Sequence, residues 1–275
     1  MTLVAAWVRH VGRTRELVVA SDSRLRFGRE WDCCPKILPL PRQDSVICFA
    51  GDTMYAYPVM LQLSHAVAMH QKTLSRATDL TDLSGHLVRV LNSMHNEIHD
   101  LPHGVDVDEP EVAFVLAGYS WKANDFKIWR YYFKPNDRTF AAREASTHRK
   151  RTAGTKYFHF VGDDTSAAAK RLYLLLNARG RLKNGGLDME PFEVLVEMIR
   201  DPAHITIGGA PQIVKVYRHS NNMPYSVYWP TRASNVLTLW GRTLLPYERH
   251  RFLALDPDTL EVTDRLGIEV DESAG

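Results

Sequence analysis

The chain has 275 residues, 45% of them hydrophobic and 24% charged, with a formal net charge of +2. This is the composition of an ordinary soluble globular chain with enough apolar material for a sizeable core. The near-neutral charge gives no reason to expect a nucleic-acid partner, and no apolar run has the length needed to cross a membrane.

In chain order, Thr2 to Val8 alternates and is rich in strand formers, a polar turn covers Gly12 to Arg15, and Glu16 to Ser21 reads as a buried strand. Together they predict an N-terminal hairpin. A short strand is expected at Lys36 to Leu38 before a proline-containing turn, and another at Ser45 to Ala50 ending at Gly51. Asp52 is placed to cap a helical stretch running to about Thr73, with Met60, Leu61, Val67 and Met69 supplying apolar surface. A second helix is expected over Leu80 to His99. Strands follow at Glu111 to Gly118 and Phe126 to Phe133 around a polar turn, and at Lys156 to Val161 before Gly162. Two helices, near Ser166 to Asn177 and Pro191 to Arg200, precede a strand at Gln212 to Tyr217. Two sheets between helical layers satisfy this order, because each sheet then buries one face on the other sheet and one on helices. No Pro/Gly/Ser-rich linker divides the chain, so residues 1–217 read as one α+β domain and residues 218–275 as a C-terminal extension of hairpins packed on it, with a turn at Asp256 to Thr259.

The start, MTLVAAWVRH, lacks the basic beginning and the following apolar stretch of a signal peptide. Three cysteines, with Cys33 and Cys34 adjacent, do not make a disulfide framework. A reducing cytoplasm is the simplest expectation.

A threonine hydroxyl needs a base to become a nucleophile, and an N-terminal threonine carries one as its own α-amine, which titrates at about 7.7–8.0. Thr2 would occupy that position once Met1 is removed. Read together, Thr2-Leu3-Val4-Ala5-Ala6, Ala20-Ser21-Asp22-Ser23-Arg24, Lys36-Ile37 and Ala50-Gly51-Asp52 resemble the first half of proteasome β-type subunits and their bacterial relatives, which are N-terminal-nucleophile (Ntn) hydrolases. The resemblance covers about residues 2–70 and beyond that is one of element order. It implies a four-layer αββα sandwich and a threonine amidohydrolase, a peptidase, that forms an acyl-ester on Thr2. Lys36 would favour the ionised hydroxyl, Asp22 would orient Lys36, and the Gly51 N–H would face the developing oxyanion. Leu25, Arg26, Cys34 and Phe49 would contribute to substrate binding, with Phe49 at the base of a shallow pocket. The resemblance also implies homo-oligomerisation, a peptide or amide substrate, a partner that feeds substrates, and no cofactor or metal.

The second half departs from the pattern. Asp163 stands where a serine is expected, so that a charge near the amine would raise the amine's pKa. His204 and Ile207 replace an aspartate and a second serine, with Thr206 one position off. Two further readings therefore stand beside the peptidase: a non-catalytic ring or scaffold subunit of the same fold, and a small-amide acylase. Other clusters read more simply. His95 and His99 stand one turn apart with His103 beyond, but Glu97 is not where a zinc-peptidase helix has its glutamate, so they read as a polar helix face. The basic stretch from Thr147 to Lys156 reads as a solvated loop, and Arg179 to Gly186 follows a helix rather than a strand, which excludes a phosphate loop.

Overall fold

The computed structural model describes residues 2–26, 28–99, 109–145, 158–182, 186–219, 221–248 and 251–264. Met1, His103, the stretch from Thr147 to Lys156, and residues 183–185 of the Arg-Gly-rich segment lie outside them. The fold is mixed α+β, with five α-helices and several largely antiparallel sheets among the described residues, and no barrel.

The N-terminal hairpin is β1 (Leu3–Val11) and β2 (Thr14–Ser21). Two short paired strands follow, β3 (Leu25–Arg26) and β4 (Glu30–Trp31), then β5 (Ile37–Pro39) and β6 (Ser45–Gly51). Helices α1 (Thr53–Met69), α2 (Gln71–Leu74) and α3 (Leu80–His95) lead to β7 (Val112–Ser120), β8 (Asp125–Lys134), β9 (Thr139–Glu144) and β10 (Phe158–Gly162). Helices α4 (Thr165–Ala178) and α5 (Glu190–Arg200) precede β11 (Gln212–Tyr217) and β12 (Asn222–Tyr228). The short strands β13 (Leu237–Leu239), β14 (Arg242–Thr243), β15 (Ala254–Leu255) and β16 (Val262–Thr263) complete the order.

One sheet runs β10-β1-β2-β11-β12-β13-β14, with β15 and β16 added at β12, and the other runs β5-β6-β7-β8-β9. Residues 222–263 therefore extend the sheet that holds the N-terminal hairpin. The period of two in each central strand decides what lies on either face. Leu3, Ala5 and Trp7 of β1 pack with Leu172 of α4 and Phe192 and Leu195 of α5. Val4, Ala6 and Val8 face Val46, Cys48, Ala50, Val115 and Ala117 of the second sheet. The other face of that sheet, including Ile47, Phe49, Phe114 and Leu116, packs on Leu63 of α1 and Leu83, Leu87 and Leu91 of α3. Both sheets are covered on both faces, so Leu3 to Val8 is apolar and buried at every position and does not alternate as expected.

Asp52 caps α1, accepting from the Met54 N–H at 2.9 Å. The single long helix expected to about Thr73 is broken at His70, whose extended backbone separates α1 from α2. Met60 and Val67 are buried as expected, but Leu61 and Met69 are exposed. At 3.6 residues per turn these two lie on the face turned away from the sheet, where Met54 and Pro58 also point outward. Strand β9, β3 and β4 were not expected from the sequence. Strand β9 lies at the edge of its sheet, β3 and β4 pair with each other, and all three have weak patterns of their own.

Asp79 is fully buried and caps α3, accepting from the Thr81 N–H at 2.9 Å. It also accepts from the Ser120 hydroxyl at 2.9 Å and the Lys122 N–H at 3.1 Å, which ties the start of α3 to the β7–β8 turn. Burial alone would raise its pKa, but these donors outweigh it and hold the carboxyl below its ordinary value. A carboxyl depressed on folding contributes stability that is fully present above its unfolded pKa and is lost as pH falls through the folded one. Asp79→Ala should lower unfolding free energy by about 1–3 kcal/mol at neutral pH, measured by urea denaturation. The difference from wild type should shrink in strong acid.

Candidate active site

The start of β1, the end of β2, the start of β5, the end of β6 and the end of β10 converge at one end of the two sheets. The strand pairings require this: Leu3 lies opposite Gly162, Val4 opposite Ser21, and Ile37 opposite Cys48. At their centre Lys36 and Asp22, both fully buried, form an ion pair in which Nζ lies 3.0 Å from each carboxylate oxygen. The carboxylate also accepts from the backbone N–H groups of Leu3 at 3.1 Å, Arg24 at 3.2 Å and Gly208 at 3.1 Å. Gln212 braces the pair from β11. Its Oε1 accepts from the Lys36 N–H at 3.0 Å, and its Nε2 donates to the carbonyls of Asp22 at 3.1 Å and Cys34 at 2.7 Å.

Burial raises the Asp22 carboxyl above its ordinary value, opposed by Lys36 and by the Gly208 and Leu3 N–H groups. Burial likewise lowers the Lys36 ammonium, opposed by the charges of Asp22, Cys34 and Asp163. The two groups are thus closer in proton affinity than they are in water, and Lys36 gives up its proton more readily than a surface lysine does.

Thr2 is fully buried, and its Oγ1 has no hydrogen-bond partner among the described residues. Its carbonyl accepts from the Asp163 N–H at 2.8 Å. Asp163 Oδ2 is also buried without a partner among the described residues. Two glycines allow the strands to approach this closely. Gly51 has φ +114°, and a Cβ there would lie 2.0 Å from the Glu111 carbonyl oxygen. Gly162 has φ +111°, and a Cβ there would lie 1.8 Å from the Thr2 carbonyl oxygen and 3.0 Å from Ala50 Cβ. Residues 50–51, Thr2 and residues 162–163 are therefore immediate neighbours.

A cavity of about 480 Å³ opens beside the start of α1, lined by Leu25, Gly28, Arg29, Trp31, Met54 and Tyr57 among others. Of the four residues expected to bind substrate, Leu25 lines it. Arg26 is exposed and lies 3.7 Å from Glu30 across the β3–β4 pair. Cys34 is buried, with its N–H on the Ser23 carbonyl. Phe49 is fully buried beneath the cavity, edge-on to Tyr57 at 5.1 Å between ring centres. Trp31 and Met54 are largely exposed at the cavity. Nothing in their local sequence marked them, because the two-stranded excursion that carries Trp31 toward α1 has no pattern of its own. Gln212 was read only as a strand start, although a polar residue heading an apolar strand is a signal of a buried hydrogen-bonding role.

His204 Nδ1 lies 2.7 Å from Asp164 Oδ2, and its Nε2 lies 3.2 Å from Arg171 Nη2. It thus binds the turn before α4 to the loop that carries Gly208. Ile207 is buried in the core beneath α4 and α5. His95 accepts or donates with the Tyr55 hydroxyl at 3.1 Å inside an aromatic cluster, and His99 is exposed. Among the described residues no group of three His, Cys, Asp or Glu is arranged to hold a metal ion. No helix among the described residues is long and apolar enough to cross a membrane. No protein-family model matches the chain, and no curated protein matches it by sequence.

Removing one partner of a buried ion pair leaves the other uncompensated, at a cost of about 3–5 kcal/mol. Lys36→Met should therefore destabilise the fold by that amount in urea denaturation. A loss below about 1 kcal/mol, the range of exposed pairs, would show that the pair is solvated.

Proposed function

We propose that the chain is an Ntn hydrolase with the four-layer αββα sandwich of that class, a threonine amidohydrolase that cleaves peptides through Thr2 after removal of Met1. The observation that carries this reading is the convergence at the start of β1: Asp22, paired to Lys36, accepts from Leu3, while Thr2 keeps a hydroxyl without a partner among the described residues. A buried hydroxyl without a hydrogen bond is costly and calls for a reason, and a nucleophile held for an incoming substrate supplies one.

In this reading the α-amine of Thr2 takes the hydroxyl proton as Oγ1 attacks the substrate carbonyl carbon. Lys36 stabilises the charge on Oγ1 and the Gly51 N–H that on the carbonyl oxygen. The C–N bond breaks as the α-ammonium returns the proton to the leaving amine. Water, deprotonated by the same amine, then attacks the ester carbonyl, releasing the acid and restoring the hydroxyl. Asp163, bonded through its N–H to the Thr2 carbonyl, sits where its charge favours the ammonium form of that amine. The apolar and aromatic cavity beside α1 suits an apolar substrate side chain. Three free cysteines, two of them buried, fit a reducing cytoplasm. Homo-oligomerisation and a substrate-feeding partner belong to the same reading.

One observation favours a non-catalytic scaffold subunit of the same fold. Ile207, where a serine is expected, is part of the core, and His204 is engaged with Asp164 and Arg171 instead of the site. Intact mass of the cell-made protein separates the readings first, since retention of Met1 sinks the catalytic one. With Met1 gone, Thr2→Ala should lower hydrolysis of a peptide reporter by roughly 10³-fold or more, while Thr2→Ser keeps part of it. Equal rates for wild type and Thr2→Ala would leave the scaffold. Cleavage of short amides but not peptides would identify an acylase.

A further inference from the structure

Strand β1 runs away from Thr2 for nine residues, about 30 Å at ~3.3 Å each. At its far end the β1–β2 turn meets the β7–β8 turn and the end of β11, and they enclose a cavity of about 570 Å³. Four arginines line it, Arg9, Arg13, Arg15 and Arg218, against two carboxylates, Glu16 and Asp125. The carboxylates are already engaged. Glu16 takes Arg9 at 2.7 Å and the buried Lys215 at 3.3 Å, and Asp125 takes Arg15 at 2.8 Å. Arg9 is further held by Asp188 at 2.6 Å. Arg13 forms no ion pair or hydrogen bond among the described residues, and Arg218 meets no carboxylate among them. The Arg218 guanidinium is nonetheless fixed in place, donating from Nε to the Tyr119 hydroxyl at 3.2 Å and from Nη2 to Asn124 Oδ1 at 2.8 Å.

We propose that this cavity binds a small molecule bearing a diphosphate group. Two arginines on adjoining turns pair with no carboxylate among the described residues, and guanidinium forks match phosphate oxygens in geometry and charge. Arg218 is oriented before any ligand arrives, so less ordering cost falls on binding. The volume lies within the ~300–1,000 Å³ of small-molecule sites. Tyr217 and Phe126 add aromatic wall for an organic group attached to the phosphates. An acidic segment of another protein would call for an extended basic surface, whereas these cations face one cavity in a chain of net charge +2.

The test is calorimetric titration of the full chain with ADP, inorganic pyrophosphate and adenosine at low and moderate salt. ADP and pyrophosphate should each bind saturably at one site, adenosine should not, and affinity should fall with salt. Tighter binding of ADP would make a nucleotide the ligand, and equal affinities would make it the inorganic anion. The double variant R13A/R218A should weaken both by roughly tenfold or more, with an unchanged melting temperature because both side chains are exposed. The proposal is overturned if neither phosphate compound binds saturably, or if the double variant binds them as well as wild type. It is equally overturned if hexaglutamate binds through these arginines while neither phosphate compound does.

Discussion

The ion pair of Asp22 and Lys36 is the constraint on which the rest of this end of the molecule depends. Taking two charges out of water costs several kcal/mol per ion, and the mutual attraction offsets this only when the remaining lone pairs are satisfied. Here the remaining acceptors of Asp22 are met by the N–H groups of Leu3, Arg24 and Gly208. Those donors come from three segments far apart in sequence. Solvating the charge internally and holding the start of β1, the exit of β2 and the loop before β11 in place are therefore one physical event. An apolar cluster tolerates small slips of its members, but a buried carboxylate with directed donors does not.

Around that centre the backbone is brought unusually close. Gly51 and Gly162 occupy conformations that favour glycine and leave no room for a Cβ, so the ends of β6 and β10 can lie against Glu111 and Thr2. Gln212 then reaches across from β11 to bind backbone groups of Asp22, Cys34 and Lys36. The outcome is a tightly braced setting for Thr2, whose hydroxyl, like Asp163 Oδ2, is buried there without a partner among the described residues. The opposite end of the same hairpin has the other character: arginine-rich turns, of which two side chains meet no carboxylate among the described residues. The two ends of β1 and β2 thus present different chemistry on one continuous scaffold.

Much of the fold was legible because its signal is local. Both faces of β6 and β7 are covered, so apolar runs marked them as strands, and Asp52 marked the start of α1. The break at His70 was not visible, since both sides of it carry helix-forming residues. Nor was the outward turn of Leu61 and Met69. An apolar residue on a helix says nothing of which face will meet the sheet until the neighbouring elements are placed.

The sequence by itself determined the strand and helix order, which follows from periodicity. The pairing of Asp22 with Lys36 was implied by the family resemblance, and the two side chains do meet. Only the tertiary structure decided that Gly208 and Gln212, nearly two hundred residues on, complete that pair. It also decided that Trp31 and Met54 line the neighbouring cavity with Leu25, and that His204 joins Asp164. Such contacts depend on where whole elements dock, and docking is set by the summed burial of two sheets and their helices, which no short stretch of residues encodes.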